Sequence, residues 1–105
     1  MAKRQLEKLR VLIKEAVDLD VTYAYDDLVF PEHTAFLFRF DDADENHFFC
    51  HFHKDCIPEE RRLISNKLST VFGANESTVS FMEMFELEQK NEEVEIRFLK
   101  GNPDV

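Results

Sequence analysis

Three of the chain's four histidines, His47, His51 and His53, fall within seven residues, and Cys50 and Cys56 lie beside them. Imidazole and thiolate are good zinc ligands, and zinc needs three or four such groups within tetrahedral reach. Residues 47–53 read His-Phe-Phe-Cys-His-Phe-His, a run that suits a strand. Strand side chains alternate between faces, so even spacings put His47, His51 and His53 together. Phe48, Cys50 and Phe52 then point the other way. His51 and His53 form a candidate ligand pair with His47 beside them, and Asp41, Asp44 or Glu45 could add a carboxylate. The competing reading is a polar outer sheet face, because no second ligand pair at metal spacing occurs elsewhere. The same imidazoles, crowded on one face, would repel one another when charged, which suggests a pH response.

Other chemistry is poorly served. The acidic stretch 41–46 is no EF-hand: counted from Asp42, the sixth position is His47 and the twelfth is His53, where Gly and Glu are needed. It reads as a solvated turn. Cys50 faces the core, where a thiol stays protonated. Cys56 sits near a helix start that would favour its thiolate, with His53 close by, but no Gly-rich turn accompanies the pair. Only Gly73 and Gly101 occur in the chain, so phosphate-cradling loops are absent.

These residues must be positioned by a small framework. The chain has 105 residues, room for a single domain over 1–105, with 44% apolar and 33% charged residues. Eleven Phe and no Trp point to a core built of Phe rings. Two cysteines make no disulfide framework. No apolar run approaches the roughly 20 residues of a membrane span. Without a signal-peptide core, the default address is cytoplasmic. The net charge of −9 disfavours nucleic acid. Residues 1–17 nevertheless hold five bases, Lys3, Arg4, Lys8, Arg10 and Lys14, against Glu7 and Glu15. A basic helix on an acidic body suits self-association or the steering of a cationic partner.

Residues 3–18 carry an amphipathic stripe, Leu6, Leu9, Ile13, Ala16 and Val17, widened by Leu12. Val21, Tyr23 and Tyr25 alternate as a strand, and Leu28-Val29-Phe30 extend it or stand alone. Residues 34–40 form the clearest strand, with Phe36, Phe38 and Phe40 on one face. A helix follows over 57–72, with Asp55 as its cap, Ile64, Leu68, Val71 and Phe72 as its stripe, and Gly73 as a C′ residue of positive φ. Residues 77–87 read as one strand with Glu83 as an interruption, and 94–99 as its partner. The tail from residue 100 frays.

The expected fold is therefore α+β, in the order α-β-β-β-α-β-β. It is an antiparallel sheet of about five strands with two helices packed on one face. The other face is wet or covered by a partner. Met82, Met84 and Glu86 share a strand face with Ser80, an apolar spot rimmed by acids that suits adaptable contacts. The element order is similar to that of the small acidic chaperones of type III secretion, a topological resemblance without a residue motif.

The function expected is a non-catalytic protein-interaction module, chaperone-like or immunity-like, without cofactor. Its partner is a protein of cationic character, and self-pairing through the sheet would make a homodimer. The alternative is a zinc-binding domain or metal-dependent enzyme using His47, His51 and His53.

Overall fold

The computed structural model describes residues 5–25 and 27–99. The frayed tail expected from residue 100 lies outside the described residues. Helix α1 spans Leu6–Val17 and buries the predicted stripe through Leu9, Leu12 and Ile13. It stops at Asp18, a left-handed residue (φ 57°) whose N–H donates to the Lys14 carbonyl at 2.9 Å. Lys14 Nζ in turn meets the Asp18 and Asp20 carboxylates at 3.1 and 3.5 Å.

Five strands make one sheet, in the order β1-β2-β3-β4-β5. They are β1 (Val21–Tyr25), β2 (Leu28–Pro31), β3 (Phe36–Phe40), β4 (His47–Phe52) and β5 (Thr78–Phe81). The first four pair antiparallel, but β5 runs parallel to β4, so the sheet is mixed rather than antiparallel throughout. The cause is helix α2 (Pro58–Ala74), which links those two strands. A helix that packs back on the sheet returns the chain to its starting end, and the next strand then runs the same way. The segment 77–87 is not one strand. It breaks at residues 82–84, and β6 (Phe85–Lys90) and β7 (Glu93–Phe98) form a separate antiparallel hairpin.

The α+β class stands, and both helices share one core. Leu9, Leu12 and Ile13 of α1 and Leu68 and Phe72 of α2 close over Phe36, Phe38, Phe40, Phe48, Cys50 and Phe52. The rings pack in the offset and edge geometries that aromatic quadrupoles favour. Phe72 stacks on Phe38 at 5.6 Å and meets Phe48 edge-on at 5.7 Å.

The hairpin covers the opposite sheet face over β3 and β4, while the β1–β2 end of that face stays open. Leu37 and His51 are fully buried there. Phe98 of β7 lies 4.6 Å from the His51 ring, and Phe85 of β6 lies 5.2 Å from the His53 ring. The Lys54 N–H donates to the Phe85 carbonyl at 2.9 Å, which pins the hairpin to the end of β4.

Two helix-end assignments differ from the pattern reading. Ile57, not Asp55, caps α2, and no side chain bonds the first-turn amides. Gly73 lies inside the helix, which runs to Ala74. Positive φ falls instead on Glu76, at 60°. Asn75 takes over the termination, its Nδ2 donating to the Val71 carbonyl at 2.8 Å. A left-handed backbone costs a side-chain-bearing residue about 1 kcal/mol that glycine avoids. Glu76→Gly is therefore expected to raise stability by about 0.5–1 kcal/mol in urea unfolding, despite the added unfolded-state entropy.

Candidate functional site

His47 and His51 share a face of β4, whereas His53 lies just past its end and bridges Phe85, and each has a different neighbourhood. His47 lies at the start of β4, where the turn from β3 brings Asp41 close and β5 brings Ser80 close. His47 Nδ1 donates to Asp41 Oδ2 at 2.7 Å, since a carboxylate can only accept. In the neutral ring Nε2 then accepts from the Ser80 hydroxyl at 2.6 Å. The hydrogen bond from His47 holds the Asp41 carboxyl below its ordinary value, helped by the Ala43 amide.

His51 is sealed beneath the hairpin. Its Nδ1 donates to the Glu83 carbonyl at 2.8 Å, and Arg39 Nε–H points at Nε2 at 3.4 Å. Both contacts specify the neutral tautomer. Burial pushes this imidazole below its ordinary value. Arg39 also lies over the Phe49 ring, 4.4 Å from its centre.

His53 Nδ1 accepts the Asp55 amide at 3.0 Å. The ring lines a hollow of about 310 Å³ together with His33, Cys56 and Glu60. The expected activation of Cys56 by the helix start is outweighed there: burial, then the Glu60 carboxylate, push its thiol up. Burial raises the Cys50 thiol further. Both cysteines are free. Among the described residues, no group of three or more His, Cys, Asp and Glu side chains gathers as a metal ion would require.

Met82 and Met84 lie in the link between β5 and β6, not on a strand face, and both are half-buried. Met84 packs against the main core. Glu86 holds Lys54 at 3.2 Å and Arg97 at 3.5 Å.

A larger concavity lies at the other end of the sheet. A cleft of about 870 Å³ opens between β1–β2 and the hairpin. Tyr23, Tyr25, Leu28 and Phe30 line one wall, and Leu87, Val94 and Ile96 the other. The tyrosines stack in parallel, 6.3 Å apart, and are 58% and 65% exposed. The charged liners among the described residues are Glu93 and Glu95, both carboxylates. Strand β1, at the sheet edge, borders the cleft.

Pattern reasoning named Ser80 only as a neighbour of Met82 and Met84 on a strand face, and it passed over this cleft. The strand–helix–strand order around α2 was the available signal for Ser80, since a helical crossover sets two strands side by side. The cleft had no local signal, because its walls come from opposite ends of the chain. No helix among the described residues is long and apolar enough to cross a membrane. In comparisons with known proteins, the chain matches no family model, no curated protein and no solved structure.

Proposed function

We propose that this protein is a protein-binding module whose docking surface is the aromatic cleft beside β1. The observation that carries the reading is the pair of stacked, exposed tyrosines on an edge strand bordering that cleft. Tyrosine offers large contact area at low entropy cost and dominates binding hot spots. An open strand edge supplies backbone groups for an added strand. The fitting occupant is an extended segment with alternating apolar side chains and basic flanks. Its apolar residues fill the cleft, and its cations meet Glu93, since Glu95 already pairs with Lys90 at 2.9 Å. The overall charge of −9 steers such a segment in.

A homodimer through β1 is less well served by the same charges. Antiparallel self-pairing centred between Tyr23 and Ala24 would bring Asp20 of one copy opposite Asp27 of the other. Buried free thiols suit a reducing cytoplasmic setting.

A displayed library of random peptides tests the reading. Enrichment of apolar-alternating, basic-flanked sequences is expected. Tyr23→Ala with Tyr25→Ala should weaken the selected peptides about 10- to 100-fold in calorimetry, the usual range for aromatic anchors. The fold should survive, because both rings are more than half exposed. Selected peptides whose affinity ignores the tyrosines would overturn the cleft as the docking surface. Concentration-dependent dimers lost in the same variant would replace the peptide with a second copy.

A further inference from the structure

Asp41, His47 and Ser80 form a hydrogen-bonded relay at the β4–β5 edge of the sheet, opposite to the cleft edge. A carboxylate accepts from one ring nitrogen at 2.7 Å, and the other ring nitrogen meets a serine hydroxyl at 2.6 Å. That order of groups is what activates a serine for attack on an acyl carbon. From this geometry we propose a second, chemical activity: Ser80 is a nucleophile that accepts the acyl group of small carboxylic esters, with His47 as its general base and Asp41 as the positioning residue.

Three further features fit these roles. Asp41 stays ionised, so it can hold the imidazole tautomer and stabilise the imidazolium. The Phe49 ring meets the His47 ring edge-on at 4.7 Å and limits its rotation. A backbone amide beside the serine is left without a partner on β4. The Thr78 and Met82 amides donate inward, to the Asn46 and Cys50 carbonyls at 2.8 and 2.9 Å. In a parallel ladder the intervening amides point away, so the Phe81 N–H, directly after the serine, faces the open edge. The His47 and Asp41 side chains are 19% and 20% exposed, which leaves a shallow site suited to a short acyl group.

The chemistry balances with water as the only co-reactant. Ser80 Oγ bonds to the acyl carbon while its proton passes to His47 Nε2. The ester C–O bond breaks, and the departing alcohol oxygen takes that proton. Water then attacks the acyl-serine, giving a proton to His47. The Ser80 Oγ–acyl bond breaks, a carboxylic acid leaves, and the proton returns to Ser80.

The test is covalent labelling with a fluorophosphonate, followed by mass spectrometry and by p-nitrophenyl acetate turnover. One adduct per chain is expected, mapped to Ser80 and absent in Ser80→Ala. Labelling should slow about 10²- to 10⁴-fold in His47→Gln and in Asp41→Asn, the range for loss of a base or its positioning group. Circular dichroism establishes that the variants are folded, and Ser80→Ala removes only the hydroxyl contact of a half-buried residue. No adduct on the unmodified protein, an adduct elsewhere, or a labelling rate in both folded relay variants unchanged from that of the unmodified protein would overturn the proposal. None of these outcomes touches peptide binding at the tyrosine cleft.

Discussion

Phe72→Ala is expected to cost about 3–5 kcal/mol in urea unfolding, the range for truncating a fully buried aromatic residue. A domain of this length holds on the order of 5–15 kcal/mol. One substitution therefore removes a large part of the stability. The position is severe for a geometric reason. Phe72 sits in the last turns of α2 with no exposure, stacked on Phe38 of β3 and edge-on to Phe48 of β4. It thus joins the helix to strands β3 and β4. Phe72→Leu keeps most of the volume and should cost much less. Equal losses for the two variants would show that the site can collapse and that this packing is looser than described.

The second large effect is acid destabilisation through His51. The buried imidazole binds a proton less readily than it does in the unfolded chain. Between its lowered folded value and the ordinary value near 6.5, the unfolded state therefore holds more protons. Stability is then full above that ordinary value and falls as pH drops below it, by at most about 1.4 kcal/mol per pH unit for one proton. The loss ends at the folded value. Protonation also has a specific structural consequence. A charged ring would present an N–H at Nε2 to the Arg39 guanidinium, which now donates there. Glu83, whose carboxylate lies 3.6 Å from Nδ1, offsets this only in part. His51→Leu should lose about 1–3 kcal/mol at neutral pH, because the Glu83 carbonyl and Arg39 Nε lose their partner. It should also lose the decline that starts near 6.5. A variant retaining the unmodified protein's pH slope would assign that slope to other groups. Asp41 acts in a separate, more acidic window, since its depressed carboxyl adds stability that vanishes only as it is protonated.

A cleft and a relay at opposite edges of one sheet are compatible with a single protein. The central strands β2, β3 and β4 hold the Phe core, so the edges are free to vary in chemistry. The hairpin β6–β7 makes the cleft by supplying its second wall. It also buries His51, so acid that loosens the hairpin would be expected to open the cleft as well.

Much of this protein is written in local periodicity. The alternation of residues 47–52 put His47 and His51 on one face and Cys50 on the other, because strand side chains repeat every two residues whatever the strand pairs with, whereas His53 falls past the end of β4. The stripes of Leu9 and Ile13, and of Leu68 and Phe72, named the buried sides of both helices for the same kind of reason. Phe36, Phe38 and Phe40 marked the core face of the sheet. Pairing was another matter. That β5 lies parallel beside β4, and so sets Ser80 against His47, follows from how α2 returns across the sheet. The break at residues 82–84 was visible only as an interruption at Glu83. What it does, folding the last hairpin over His51 and opening a tyrosine-lined cleft against β1, depends on which apolar surfaces bury each other best. Those surfaces come from distant stretches of chain, and tertiary packing alone selects among their combinations.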